Sequence, residues 1–267
     1  MFIKFLISLF VFIFGLCIGS FLNCVVYRLE KKEKITGRSF CPQCKTKLSW
    51  SDLFPVFSFL FLLGRCRYCR KKISIQYPIV EIATGLVFLL IFSAGVPTGS
   101  GPALGWNLLN LAFLFYIASV LIVIFVYDLR YYLIPDRILF PAIAIGATYR
   151  IFENLYSLGG LISFVYAVLI GAGFFLFIFL ISKGRWMGFG DVKLAVLMGL
   201  ILGLPSVFPA LFLAFFFGAI IGIITMIFGN KSLKSEMPFA PFLITGTFIA
   251  VLYGGHIIQW YLTFFQI

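Results

Sequence analysis

The sequence predicts an all-α polytopic membrane protein, with about eight transmembrane helices and a small zinc-knuckle insert on the cytoplasmic side. Three observations carry this reading. Of the 267 residues, 62% are hydrophobic and 11% charged, mean hydropathy is +1.11, and 35 residues are phenylalanine. Soluble domains are about 45–50% apolar and about 25% charged, so no soluble fold of this length could hide so much apolar side chain. The apolar residues also gather into long blocks, and the basic residues between those blocks are distributed unevenly.

Crossing the hydrocarbon takes about 20 mainly apolar residues. On that rule the helices fall near 5–27, 79–97, 107–127, 138–155, 160–182, 194–204, 206–229 and 239–262. The first begins after Lys4, has no Ala-x-Ala-like cleavage site and exceeds a signal peptide's apolar core, so it reads as a retained span. The sixth, LAVLMGLILGLP, is short and interrupted by Gly and Pro. With the N-terminus outside, the inside loops 28–78, 128–137, 183–193 and 230–238 hold 12, 2, 3 and 2 of the 21 Lys and Arg residues. Only Lys4 and Arg150 remain outside, and the positive-inside bias therefore sets the orientation. In a soluble chain the net charge of +12 would suggest nucleic acid. Here it reports cytoplasmic loops, and nucleic acid is not expected as a partner.

The chain divides into a first span (1–27), a polar cytoplasmic insert (28–78) and a multi-helix block (79–267), with no internal repeat. Inside the insert, LFPVFSFLFLLG (53–64) is too short to span and suits a segment lying at the membrane surface. On either side of it stand CPQCKTKLSW (41–50) and GRCRYCRKK (64–72), two CxxC pairs 21 residues apart. Each pair sets two thiolates on one turn, and two such knuckles can close a tetrahedral zinc site through Cys41, Cys44, Cys66 and Cys69. Two disulfides would use the same residues, but the charge bias places them in the reducing cytoplasm. A site with all four positions filled by sulfur is structural. Cys17 and Cys24, on the first helix, read as small packing residues.

The chain has nine acidic residues. Glu30, Glu33, Asp52, Glu153 and Glu236 lie in polar loops or at helix ends, where solvated charge is the default, and Glu81 suits a cap on the second helix. The remaining three are Asp128 and Asp136 in VYDLRYYLIPD and Asp191 in GFGDVK, at the inner membrane edge. Ionisable groups at membrane depth are costly and are candidates for function. The single histidine, His256, falls near the outer side, which removes most histidine-based catalysis at the inner face. Two carboxyls brought together cannot both ionise easily, so one can activate water while the other donates a proton. Gly188 and Gly190 would let backbone and substrate approach closely, and Lys193 is either a counter-charge or an inside anchor. On the residues alone, an aspartate dyad and a proton or ion pathway stand level.

VYDLRYYLIPD with GFGDVK resembles the GxGD class of intramembrane aspartyl proteases. GSFLNCVVYRL (19–29), the paired CxxC insert and GRCRYCRKKISIQYPIVEIATG (64–85) resemble bacterial type IV prepilin peptidases more specifically. MPFAPFL (237–243) is similar to that family's Pro-rich segment, with Ala240 where Gly is expected. The resemblance implies an inner-membrane enzyme that removes the basic leader of prepilins or pseudopilins and then methylates the new N-terminus with S-adenosylmethionine. It implies catalytic roles for Asp128 and Asp191, a position outside the dyad for Asp136, and zinc on the four cysteines of a methyltransferase-associated insert. No glycine-rich nucleotide fingerprint marks a methyl-donor site. The competing classes are an ion- or proton-coupled transporter using the same acids, and a zinc module that only recruits partners. Because the leader is itself basic, the basic insert is expected to face the membrane surface rather than the leader.

Overall fold

The computed structural model describes residues 2–94, 104–156, 158–228 and 237–264. The predicted helix ends at 97 and 229, and the loop acid Glu236, lie outside the described residues. The chain is helical: α1 (Phe2–Lys31), a 3-10 turn (Trp50–Leu53), α2 (Phe57–Phe61), α3 (Gln76–Ser93), α4 (Leu104–Tyr131), α5 (Asp136–Glu153), α6 (Leu158–Ser182), α7 (Phe189–Leu202), α8 (Val207–Phe228) and α9 (Ala240–Phe264). Among the described residues there is no sheet, only the isolated bridges Phe40–Lys47 and Arg65–Lys72. Each of the eight apolar segments is a helix. Six of them, α1, α3, α4, α6, α8 and α9, are long and apolar enough to cross a membrane.

The two that fall short do so for different reasons. At 14 residues, α7 is only about 21 Å long, against a hydrocarbon core of about 30 Å. In α5 the charged residues Asp136, Arg137, Arg150 and Glu153 sit at both ends, and Pro141 lies inside. The eight expected spans are therefore six helices long and apolar enough to cross, one that is too short (α7) and one that is too charged (α5).

The chain forms two compact units, Met1–Val123 and Ile124–Ile267. In the first, α1 runs antiparallel to α3, with Gly15 against Gly85, Gly19 against Glu81 and Asn23 against Tyr77. A Cβ at Gly19 would lie 2.7 Å from the Glu81 Cα, so small residues let these backbones meet. Deeper along the pair, fully buried Phe88 stacks on Phe115 with centroids 4.2 Å apart. At the insert end, buried Arg28 donates to the carbonyls of Ile35, Gly37 and Arg38. A guanidinium offers five donors in a rigid fork, and here it holds the chain as it turns back from α1.

In the second unit α7 lies along α6, α8 pairs with α9, and α5 and α9 also pack on α7. A Cβ at Gly199 would stand 2.7 Å from the Cα and N of Val168, so α6 and α7 touch backbone to backbone. The last carbonyls of a helix have no partner within it. At the end of α7, Arg150 of α5 supplies one: its Nε donates to the Leu200 carbonyl (2.9 Å) and its Nη2 to that of Ile201, while Nη1 pairs with Glu153. Gly199→Leu is expected to lower Tm in detergent and to cut accumulation several-fold. Gly173→Leu on α6, where nothing lies within 4 Å, should leave both unchanged, and a melting curve of each variant checks this.

Candidate active site and metal centre

Asp128 stands in the last turn of α4 and Asp191 in the first turn of α7. GFGDVK places its acid there because Gly188 is extended (φ −74°, ψ 149°) and caps the helix, after which Phe189, Gly190 and Asp191 begin the first turn. Both carboxylates are buried, at 5% and 8% exposure, and each lies within the other's electrostatic field. The backbone amide of Ala240, the first residue of α9, faces the Asp128 carboxylate. Asp128 Oδ2 is buried without a hydrogen-bond partner among the described residues, which leaves an acceptor to spare. On the other acid, the Gly188 backbone faces the Asp191 carboxylate. A Cβ at Gly190 would come within 3.2 Å of Ile134, so the glycine lets α7 start against the IPD loop.

Lys193 does not serve as a counter-charge to Asp191. Its Nζ pairs with Asp136 Oδ1 at 2.5 Å and sits over the rings of Phe140 and Phe189. The pair joins the first turn of α5 to the second turn of α7, with Asp136 half-exposed and Lys193 largely covered. Lys193→Ala and Asp136→Asn are each expected to destabilise the second unit by at most about 1 kcal/mol, the scale of a partly exposed ion pair. Lys193→Arg should retain most of that stability, and a melting curve in detergent measures all three.

The insert carries the second constellation. The Sγ atoms of Cys41, Cys44, Cys66 and Cys69 lie within 4.8 Å of one another, with Cys41 to Cys69 at 4.0 Å, and no disulfide joins them. Zinc–sulfur bonds of about 2.3 Å in a tetrahedron require sulfurs about 3.8 Å apart, so the four thiols fit the metal. Both knuckles have one backbone design. Cys41 N–H donates to the Thr46 carbonyl and Lys45 N–H to that of Cys41, and Cys66 with Lys71 and Arg70 with Cys66 repeat the pattern. Lys45 (φ 59°) and Arg70 (φ 58°) take the same left-handed turn after the second cysteine. A local repeat therefore exists where none was expected, and its signal is the shared C-x-x-C-[K/R]-x-K of CPQCKTK and CRYCRKK. Cys17 and Cys24 remain outside this cluster.

Two acids take roles other than those expected of them, and one polar residue of α1 takes a role for which no expectation stood. Asp52 is not a solvated loop acid: Oδ2 accepts from the Ser49 hydroxyl (2.7 Å), the Ser49 amide (3.1 Å) and the Tyr68 hydroxyl (3.2 Å), and Oδ1 pairs with Arg67 Nε (2.7 Å). Burial pushes its carboxyl up, but the Ser49 hydrogen bonds and the Arg67 charge outweigh that and hold it below the usual carboxylate range. Since Arg67 and Tyr68 lie inside the second CxxC, Asp52 clamps one knuckle from the chain leaving the other. Glu81 does not cap α3; its Oε2 accepts the Val56 amide of the insert at 2.7 Å. Asn23 donates to the Tyr77 carbonyl at 3.0 Å. Hydrophobic pattern and charge sign carry no trace of these contacts.

Taken together, the fold and site define a polytopic helical membrane protein with a four-cysteine centre between its first two candidate spans. The comparisons narrow that class. Residues 13–94 match the bacterial peptidase A24 N-terminal domain, and residues 115–223 match the type IV leader peptidase family. The chain is 34% identical to a prepilin leader peptidase/N-methyltransferase of Bacillus subtilis (strain 168), covering 94% of this chain and 96% of the relative. It is 30% identical to one of Aeromonas salmonicida (95% and 93%) and 28% identical to one of Pseudomonas aeruginosa (94% and 91%). The chain belongs to the type IV prepilin leader peptidase/N-methyltransferase family. No solved structure matches it.

Proposed function

We propose that this protein removes the leader of prepilins or pseudopilins at the cytoplasmic face of a bacterial inner membrane and then N-methylates the exposed N-terminal residue. The observation that carries the peptidase half is that Asp128, at the end of α4, and Asp191, at the start of α7, are both buried and that the charge of one acts on the other. The basic residues of 28–78, together with those near both aspartates, support the cytoplasmic placement.

The chemistry follows from the pair. Adjacent carboxyls out of water do not both ionise at low cost, so one retains a proton. The ionised member takes a proton from a water as that water attacks the scissile carbonyl, and the protonated member donates to the carbonyl oxygen as it gains charge. The unpartnered Asp128 Oδ2 is free to accept from that water. Gly188 leaves the cap of α7 without a side chain, and a Cβ there would meet nothing closer than 3.9 Å, which makes room for an extended peptide.

Cys41, Cys44, Cys66 and Cys69 would hold zinc, which fills its tetrahedron with sulfur and ties the two knuckles together without an open catalytic position. The methyl donor is a separate matter. The described residues contain no sheet on which a Rossmann-type S-adenosylmethionine site could be built, so no side chain is given that role. Co-expression with a prepilin, followed by mass measurement of its N-terminus, tests both halves at once. A product shortened by its leader and heavier by one methyl group is the expected result. An intact leader would sink the peptidase reading, and a shortened, unmethylated product would sink the second half.

A further inference from the structure

Residues 50–63 are a surface that the peptidase chemistry leaves unexplained. Trp50, Phe54, Phe57, Leu60, Phe61 and Leu63 are between 54% and 87% exposed, six large apolar side chains within fourteen residues of a strongly basic insert. The positions 50, 54, 57 and 61 are spaced as one helical stripe, although Pro55 and Val56 break the helix between them. The loop is firmly held from behind. Glu81 of α3 bonds the Val56 amide at 2.7 Å, and Val56 itself takes a left-handed φ of 60°. At its base Asp52 pairs with Arg67 at 2.7 Å. These anchors fix the backbone while the large apolar side chains point away from it. Around the loop, the two knuckles present Lys45, Lys47, Arg65, Arg70, Lys71 and Lys72, all exposed.

We propose that residues 50–63 are a lipid-docking wedge that seats its aromatic side chains in the interfacial layer of an anionic leaflet, with the basic residues of both knuckles on phospholipid phosphates. Two facts select lipid as the occupant. The loop is tied to the first turns of α3, and α1 and α3 both enter the membrane at this end of their unit, so bilayer is the nearest apolar phase. The mixture is also what an interface favours: aromatic rings lie at headgroup depth, and clustered Lys and Arg are drawn to anionic lipid. The wedge accounts for six exposed basic residues among the twelve Lys and Arg of an insert with three acids, and it is independent of the catalytic reading.

The test uses the full chain in nanodiscs, with Trp106→Phe, Trp186→Phe and Trp260→Phe leaving Trp50 as the only tryptophan. In discs containing phosphatidylglycerol, lipids brominated near the headgroup end of the acyl chain should quench Trp50 at least two-fold, and acrylamide should quench it weakly. Phe57→Ser with Phe61→Ser should reverse both readings at unchanged zinc content. Strong acrylamide quenching without bromolipid quenching shows a solvated loop and overturns the wedge. Protection from both quenchers shows a second copy or another protein covering the loop and also overturns it. Equal bromolipid quenching in purely phosphatidylcholine discs removes the anionic part of the proposal. Should the triple Trp variant fail to bind zinc, hydroxyl-radical footprinting of the unmodified chain reads the same surface. Trp50 and Phe61 should oxidise several-fold more slowly in phosphatidylglycerol discs than in phosphatidylcholine discs, and equal rates count against the proposal.

Discussion

Asp128→Asn and Asp191→Asn are each expected to reduce leader cleavage by at least about 100-fold, and toward about 10⁴-fold, the range over which a positioned acid or base acts. Asparagine keeps the shape of the buried side chain, so both variants should insert and accumulate as the unsubstituted chain does. That separates lost chemistry from lost folding, which an alanine at a site only 5–8% exposed would confuse. The double variant should be no worse than the more damaged single one, because the two groups act as a unit. Prepilin processing followed by gel shift, beside the amount of membrane-inserted enzyme, provides the measurement. Asp136→Asn is the internal comparison, since that acid binds Lys193 at the surface and is expected to cost at most about five-fold. Loss of all cleavage in Asp136→Asn together with normal cleavage in Asp191→Asn would reassign the dyad.

Loss of the metal is expected to have the larger structural effect. Between residues 30 and 75 the only buried hydrophobic side chains are Cys41 and Cys66. An insert of this size normally needs a staple, and this one has no apolar core to substitute for it. Structural zinc contributes on the order of 10–16 kcal/mol in small zinc domains, far more than the hydrogen bonds of Asp52 and Arg28 can supply. Cys41→Ser or Cys66→Ser should therefore abolish bound zinc and make the Lys- and Arg-rich insert at least about 100-fold more sensitive to trypsin. A strong chelator should do the same to the unsubstituted protein, and returning zinc should restore resistance only there. Zinc content by elemental analysis, paired with a digestion time course, decides the matter. Unchanged resistance after complete zinc removal would show that the insert is held by something else.

Some of this protein is written locally. Membrane spans depend on the apolar content of about 20 consecutive residues, which is why each of the eight apolar segments is a helix. The four-cysteine cluster was equally legible, because two CxxC turns limit four sulfurs to a small volume almost regardless of the loop between them. What escaped was the use made of individual charges. Arg150 read as a stray basic residue on the outer side, yet it completes the carbonyl end of α7. Asp52 read as solvated, yet it clamps the second knuckle. A charged side chain looks the same in sequence whether it meets water or a carbonyl distant along the chain.

By itself, then, the sequence determined that this protein is helical and membrane-spanning, that four cysteines form one centre, and that Asp128 and Asp191 were the acids to watch. Those properties depend on composition and short spacing, which no tertiary contact can alter. Tertiary structure decided that Lys193 belongs to Asp136, and that Asp128 and Asp191 are each buried, with Asp128 Oδ2 left without a hydrogen-bond partner among the described residues. These outcomes rest on which helices touch, and the closest of those contacts, such as Gly199 against Val168, join residues far apart in the chain that no local pattern pairs in advance.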